Sequence, residues 1–406
     1  MLGNKKKIID SILLCSVRGP TEAIYVRIWR YRVAFTVEFF LRMTNTKTRM
    51  TAHFMTEATN AINEHEISEL MNVWPALLHD LINTDHYLDL PDVSKWMVKS
   101  LQYNVLHGRK RRALTLIRTY QMLTPQEKLT NENIHLVRIL GWCMELLQGF
   151  LLIIDDIQDK SQIRRNQPCW YLFDDIGLAA INDGFMIENT IYQILKLYFK
   201  EKEYYVDLVE LFHDYILKTT IGQCLDLLST NFGKTANLDV FTMDRYNSII
   251  KNKTAYYAFV LPVKLAMCAA NVKDPELHRQ VEALLLEMGH FYQIQDDYLD
   301  CYGDTKIIGK NSTDIQEGKC TWLIVSALQR VTPEQRKILE ECYGSEDLEK
   351  VRRVKNLYDD LDLPNAYSIF EKETYNLIMA HIKQLPNSLP QNFFSDILRK
   401  IYHRKN

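Results

Sequence analysis

One segment of the chain, Ile139 to Ile154, is almost entirely apolar and runs directly into a cluster of aspartates. Glu145 and Gln148 interrupt it, so it falls short of the roughly 18 uninterrupted apolar residues that identify a membrane span. A helix of this composition buries its apolar side chains against other helices instead. The sequence therefore predicts a long core helix here and no transmembrane segment.

The remainder of the chain also favours helices. Only 14 of the 406 residues are glycine and 11 are proline, so the chain has few of the breaks that a strand-and-turn fold requires. From about Ile62 onward, apolar residues recur at three- and four-residue spacing between short polar breaks. We therefore expect a single all-α domain over residues 56–406.

The N-terminal segment, residues 1–55, is rich in lysine and arginine and poor in acidic residues. Such a composition is typical of an organelle transit segment, and it fits a retained basic extension equally well. We therefore expect an extension with either fate, and a cytoplasmic or mitochondrial location for the protein.

Overall charge and cysteine content exclude several function classes. The formal net charge is -2, which gives no reason to expect a nucleic-acid partner. The eight cysteines are scattered without a CxxC pair, which argues against a zinc site or a disulfide framework. A function that needs positive charge must therefore rest on local clusters of basic residues.

The first candidate site lies where the apolar segment ends, at Asp155, Asp156 and Asp159, with Arg164 and Arg165 close behind. On a helix, residues four apart share a face, so the carboxylates of Asp155 and Asp159 can bind the same hard cation. Magnesium is the cation that such oxygen ligands suit. For one motif alone, a solvated acidic helix end is an equally good interpretation.

The same spacing recurs in Asp296, Asp297 and Asp300, which again follow an apolar helical segment. Magnesium is usually held by a few carboxylates together with substrate phosphates. Two such clusters suit a diphosphate held between them. The recurrence favours a metal and diphosphate site over a solvated surface.

With these two motifs, the chain from Tyr103 to Tyr402 resembles the trans-prenyltransferase family, and in particular its farnesyl diphosphate synthases. The resemblance implies an isoprenoid synthase fold, a helical bundle around a deep central cavity, and a homodimer that binds prenyl diphosphates. It also implies three magnesium ions per site, with Asp155, Asp159 and Asp296 as direct ligands. Asp156, Asp297 and Asp300 would support those ligands.

The resemblance assigns two groups of diphosphate-binding residues as well. The allylic diphosphate would contact Arg164, Lys253, Thr254, Gln293 and Lys310. The isopentenyl diphosphate would contact Gly108, Arg109, Arg112, Gln148, Arg165 and, in the basic C-terminal tail, Arg404. Among all these residues, the expected catalytic set is Asp155, Asp159, Asp296, Lys253 and Lys310.

The chain departs from the family pattern at the isopentenyl site and at the cavity floor. Arg109 stands where the family has lysine, and Ala113 stands where it has glycine. Arginine keeps the charge but presents a planar fork instead of a point donor. At the floor, where two aromatic residues are usual, the chain has Phe150 and Leu151. Either the pocket is deeper and accepts a longer or bulkier allylic tail, or another side chain fills the gap.

Three functions follow from this pattern. The first is condensation of isopentenyl diphosphate with dimethylallyl or geranyl diphosphate to farnesyl diphosphate. The second is a lyase, a terpene synthase derived from such an enzyme, that ionises farnesyl diphosphate to a sesquiterpene. The third, a catalytically inactive partner subunit, is disfavoured because both aspartate motifs are complete.

Overall fold

The computed structural model describes residues 48–84, 89–233, 237–303, 313–386 and 388–402, with side chains described from Glu64 onward. The chain divides into two compact units, Met1–Asn63 and Glu64–Asn406, and the site described below belongs to the second. Residues 1–47 of the predicted transit segment, Lys310 and Arg404 lie outside the described residues, and the roles expected of them stay predictions.

The described part is helical almost throughout, which confirms the all-α prediction. The N-terminal half contains α1 Thr48–Ile82, α2 Pro91–Asn104, α3 Arg111–Leu123, α4 Asn131–Gln158, α5 Ala180–Phe199 and α6 Tyr205–Ser229. The C-terminal half contains α7 Met243–Ile249, α8 Leu261–Ala269, α9 Pro275–Tyr302, α10 Asp314–Glu317, α11 Trp322–Leu328, α12 Pro333–Cys342, α13 Leu348–Asp360, α14 Leu363–Gln384 and α15 Gln391–Ile401. A short hairpin follows α4. Its two antiparallel strands, of two residues each, are β1 Ile163–Arg164 and β2 Gln167–Pro168.

Helix α4 is the predicted core helix. It begins at a Thr130 cap, whose side-chain oxygen accepts a hydrogen bond from the backbone N–H of Asn133 at 3.2 Å. By length and composition it is the one helix in the described ranges that could cross a membrane, but 78% of its apolar stretch is buried inside the fold. Both Glu145 and Gln148 are buried with it. Burial on all sides is what its nearly continuous apolar sequence requires.

Two glycines bring three helical segments close together around the site. Residues Ile250–Val260, between α7 and α8, form a π-helical segment. A Cβ atom on Gly222 of α6 would lie 2.1 Å from the backbone nitrogen of Lys253, and one on Gly289 of α9 would lie 2.5 Å from the Cβ of Ala255. Only residues without side chains permit these approaches. As a result, α6 and α9 pack closely against the π-helical segment.

Apolar side chains form two clusters in the described residues. The larger surrounds α4 and includes side chains from α3, α5, α6, α8 and α9. The smaller joins α7 to α11, α12 and α13, with Ile324, Leu339 and Val354 fully buried. The site lies where these packed elements leave an open space.

Candidate active site

A cavity of about 700 Å³ opens between α4, α5, α6, the π-helical segment and α9. Part of its wall is acidic and is formed by Asp155, Asp159, Asp226 and Asp296. Another part is apolar and is formed by Phe150, Leu151, Ile154, Phe185 and Ile216. Because Leu151 precedes Asp155 by one helical turn, the apolar wall begins directly below the acidic one. The cavity thus suits a molecule with a charged head and an apolar tail.

The first aspartate motif places its carboxylates as the spacing predicted. Helix α4 ends at Gln158, but the N–H of Asp159 still donates to the carbonyl of Asp155 at 2.9 Å. The helical geometry therefore continues to Asp159, and the two carboxylates share a face. Both line the cavity.

Two lysines alternate with the carboxylates. The Lys253 ammonium lies 3.2 Å from Asp155 Oδ1 and 2.7 Å from Asp226 Oδ2. The Lys319 ammonium lies 2.6 Å from Asp159 Oδ2 and 3.4 Å from the same Asp226 oxygen. Asp226 therefore bridges the two lysines. This alternation offsets the repulsion that the buried carboxylates would otherwise experience.

The alternation of lysines and carboxylates also sets the protonation states of these side chains. Burial favours the neutral form of Asp155, but Lys253, Arg164 and Lys319 outweigh it and hold the pKa of Asp155 well below its usual range. Burial and the charge of Asp155 together raise the pKa of Asp159 to about 6. Burial opposes the charged form of Lys319, yet the nearby aspartates keep its pKa above the usual value. The lysines therefore remain cationic at neutral pH.

Arg164 is positioned by the β1–β2 hairpin. Its Nε and Nη2 atoms donate to Asp156 Oδ1 at 2.9 and 2.5 Å, and Nη2 lies 3.4 Å from Asp155 Oδ2. Asp156 is buried and is absent from the cavity wall. It holds the arginine at the edge of the site, and the supporting role expected of it in a metal site stays a prediction.

In the second aspartate motif, the carboxylates have different surroundings. Asp296 is half-buried on the cavity wall. Asp297 is buried and accepts hydrogen bonds from the Tyr246 hydroxyl at 2.5 Å, from Gln293 Nε2 at 2.9 Å and from the Trp322 backbone N–H at 2.9 Å. Burial raises the pKa of Asp297 to about 7. Asp297 therefore joins α9 to α7 and α11.

The remaining described residues of the second motif and of the predicted allylic site also line the cavity. Asp300 Oδ2 accepts a hydrogen bond from the Asp314 backbone N–H at 3.2 Å. The Thr254 hydroxyl donates to Gln293 Oε1 at 2.9 Å, which couples the π-helical segment to α9. Thr254, Gln293, Asp300 and Lys253 all line the cavity.

The predicted isopentenyl residues are only partly brought together. Arg112 lines the cavity; its Nη2 donates to the Tyr257 hydroxyl at 3.0 Å, and its guanidinium stacks 4.8 Å from that ring. Gly108 packs against Arg165, with 3.0 Å between the site of a Cβ and the guanidinium carbon. Gln148 is buried within α4, and Arg109 is exposed. Of these five residues, Arg112 alone is on the cavity wall.

The sequence matches a known protein family over most of its length. Residues 94–361 match the sequence model of the polyprenyl synthetases, which spans well over half of the chain. The chain belongs to the polyprenyl synthetase family. This membership confirms the resemblance to prenyltransferases, and the chain is an enzyme of the farnesyl diphosphate synthase type.

Relatives in this family have similar length and architecture. A farnesyl pyrophosphate synthase of Murgantia histrionica is 48% identical over 344 residues, which cover 85% of this chain and 84% of that protein. One of Bos taurus is 46% identical over 317 residues, covering 78% of this chain and 90% of that protein. The structure of a T. brucei farnesyl diphosphate synthase complexed with a bisphosphonate has a TM-score of 0.77 and 29% identity, covering 84% of this chain and 99% of that one. The isoprenoid synthase fold is thereby confirmed.

Two charged residues on the cavity wall were not predicted from the sequence. Asp226 and Lys319 were not predicted, although both contact the first motif or its lysine partner. The sequence does contain a feature that could have identified Asp226 as a candidate site residue. It is a single acidic residue among apolar neighbours in the segment CLDLL. Lys319 follows the second motif by more than one element, and no local spacing links it to Asp159.

Buried Lys110 was also missed. Its ammonium donates to the carbonyls of Val105 and Leu106 at 2.8 Å each and of His107 at 3.0 Å, and it lies 3.8 Å from Glu145. Burial lowers the pKa of Lys110 to about 8. Lys110 thus fixes the turn that carries Gly108 and Arg109.

The donor set on the cavity wall fits a hard cation such as magnesium. Among the described residues, no three carboxylate, imidazole or thiolate side chains converge on one point. Lys253 and Lys319 stand between the carboxylates, and Asp155 Oδ1 is buried beside the Lys253 ammonium at 3.2 Å. Magnesium commonly takes only one or two carboxylates and completes its shell with phosphate oxygens and water. These carboxylates are therefore suited to magnesium that arrives with a diphosphate.

Proposed function

We propose that this enzyme is a magnesium-dependent prenyltransferase that condenses isopentenyl diphosphate with dimethylallyl or geranyl diphosphate to farnesyl diphosphate. One observation carries the proposal. The alternating carboxylates and lysines of Asp155, Asp159, Asp226, Lys253 and Lys319 line the same cavity as an apolar pocket. A prenyl diphosphate has the matching chemistry, with an anionic head and a hydrocarbon tail.

Magnesium would be held by Asp155 and Asp159 on one side and by Asp296 on the other, with three ions in the complete site. The hard oxygen donors of these residues support this assignment. When bound, magnesium would supply positive charge to the departing diphosphate.

The residues of the chain would stabilise the same leaving group. Lys253 and Arg164 already lie within 3.5 Å of Asp155, and their charges are retained at neutral pH. Charge on the diphosphate is greatest when the carbon–oxygen bond has broken. Fixed cations at its edge therefore stabilise the transition state more than the bound substrate. The apolar wall would exclude water from the allylic cation until the second substrate attacks it.

Condensation also requires a second anion site, and Arg112 supports one. Its guanidinium is on the cavity wall, and its Nε atom is buried without a hydrogen-bond partner. A buried N–H donor without a partner costs free energy unless a ligand accepts from it. An isopentenyl diphosphate oxygen would satisfy this donor.

The lyase is a second candidate function because the predicted isopentenyl site is incomplete on the cavity wall. Arg109 is exposed and absent from the cavity wall, whereas every described residue of the predicted allylic site is on it. An enzyme that only ionises farnesyl diphosphate would need the allylic site alone. The close similarity to farnesyl pyrophosphate synthases favours condensation.

One experiment separates the two functions. Purified protein with magnesium receives dimethylallyl and isopentenyl diphosphates in one tube and farnesyl diphosphate alone in another, and products are read by gas chromatography after phosphatase treatment. Farnesol in the first tube supports condensation. Cyclic products in the second tube without farnesol in the first would overturn it. Asp155→Asn and samples with chelator instead of magnesium should be inactive in both.

A homodimer is also part of the proposal. Helix α6 carries exposed Leu217, Ile221 and Leu228, which are four and seven residues apart and so lie along one side of the helix. An exposed apolar stripe of this kind is typical of a protein interface. A second copy of the chain is the partner that we propose for it.

A further inference from the structure

Helix α5 brings an aromatic ring to the apolar wall of the cavity. Phe185 lines the cavity together with Phe150, Leu151 and Ile154 of α4. The residue before it, Gly184, lies against α4, since a Cβ there would be 3.2 Å from Ile154 Cδ1 and 3.5 Å from Phe150 Cδ2. This close approach sets the start of the Phe185 side chain beside the segment that contains Leu151.

The Phe185 ring is poorly covered by the protein itself. It is 53% exposed, although it is a large apolar side chain on a cavity wall. Covering apolar surface is favourable by roughly 25 cal/mol per Å². A hydrocarbon tail that reached this ring would gain that free energy, so the ring is a contact surface for a ligand.

The cavity wall near Phe185 also contains polar side chains. Glu188, one turn further along α5, and Thr220 on α6 also line the cavity. An isoprene unit in contact with these polar groups would gain less free energy than one in contact with the Phe185 ring. The bulk of the Phe185 ring therefore sets a limit to tail length.

We propose that Phe185 is the specificity-determining floor of this cavity and replaces the aromatic ring that is missing at Leu151. The inference rests on the proposed prenyltransferase function and adds to it the residue that ends chain elongation. The floor ring comes from α5 instead of α4, so farnesyl diphosphate remains the main product despite the leucine. A phenyl ring occupies roughly the space of one isoprene unit, so its removal should admit one more unit.

The test changes the volume of the side chain in both directions. With dimethylallyl and isopentenyl diphosphates, Phe185→Ala should raise the ratio of geranylgeranyl to farnesyl product at least tenfold, and Phe185→Trp should shift the product towards geranyl. The double variant Leu151→Phe/Phe185→Ala should return farnesyl as the main product, because the ring moves back to α4. Leu197→Ala is the matched control; Leu197 is an exposed leucine of α5 that is absent from the cavity wall.

Circular dichroism and sedimentation should show that each variant keeps the wild-type helicity and oligomeric state, and Phe185→Leu replaces any variant that does not. Active variants of both sizes with the wild-type product ratio would overturn the assignment of Phe185 and leave the proposed function intact. If the wild-type enzyme makes no elongated product, the proposed function fails, and this inference fails with it.

Discussion

At the scale of single residues, the active site depends on cations that are held in place by aspartates. Lys319 contacts Asp159 at 2.6 Å and Asp226 at 3.4 Å, and it is largely buried. A buried lysine without such partners would lose its proton more readily. The carboxylates therefore keep a positive charge beside the proposed leaving group.

The role of Lys319 can be measured. We expect Lys319→Met to lower kcat/KM for the allylic substrate by about 100-fold or more, because a charge that stabilises the departing diphosphate is lost. Lys337→Met, an exposed site on α12, is the control and should be neutral. Steady-state assays at saturating magnesium give both values. Activity of Lys319→Met within twofold of wild type would contradict the role.

His290 of α9 predicts a pH dependence of stability. Its Nε2 lies 2.7 Å from Asn247 Oδ1 and its ring lies beside Tyr246, and burial lowers the pKa of His290 to about 4. In the unfolded chain a histidine titrates near 6.5. Below that pH the unfolded state binds the proton first, so this contribution to stability falls as the pH drops towards 4.

Urea unfolding at pH 7.5 and pH 5 tests this prediction. We expect the His290→Gln variant to lose less stability over this interval than wild type, by on the order of 2 kcal/mol, because it has no proton to gain. His135→Gln changes an exposed histidine and should keep the wild-type loss. Equal losses in wild type and His290→Gln would refute the prediction.

At the scale of helices, the site exists because three segments approach one another without side chains between them. Asp226 of α6 reaches Lys253 of the π-helical segment, and Thr254 reaches Gln293 of α9. Gly222 and Gly289 occupy the points of closest approach. Side chains at either point would move the carboxylates and lysines apart.

We therefore expect Gly222→Ala to destabilise the protein by about 3 kcal/mol and to reduce activity, because its methyl group would collide with backbone that cannot rotate away. Gly141→Ala on α4 is the comparison, since its methyl would lie 3.2 Å from the Cβ of Ala113. That smaller overlap should cost much less, and helix propensity offsets part of it. Thermal unfolding and activity assays are the measurements. Similar losses in the two variants would show that the close approach at Gly222 is unimportant.

At the scale of the whole molecule, the exposed stripe on α6 predicts the oligomeric state. We expect the double variant Leu217→Asp/Ile221→Asp to be monomeric at concentrations where the wild type is a dimer, because two charges would be buried at the interface without partners. Leu348→Asp, at an exposed leucine of α13, is the control and should leave the dimer intact. Sedimentation velocity distinguishes the two states. A wild-type protein that sediments as a monomer would contradict the homodimer.

Local spacing was enough to predict part of this protein. Residues within about two helical turns of one another were enough to predict the helical class, the buried α4 helix and the shared face of Asp155 and Asp159. The family resemblance added Lys253, Thr254 and Gln293, which do line the cavity. Such features are encoded within single segments, so they can be identified before any packing is known.

Tertiary structure decided what surrounds those residues. Lys319 faces Asp159 across 160 positions of sequence, Asp226 lies between two lysines, and Asp297 is buried and accepts a hydrogen bond from Tyr246, whereas Asp296 is only half-buried. The Phe185 ring lines the cavity from α5, whereas Leu151, the position without an aromatic ring, is on α4. These contacts leave no periodic pattern in the sequence, because each depends on how closely helices that are distant in sequence pack together.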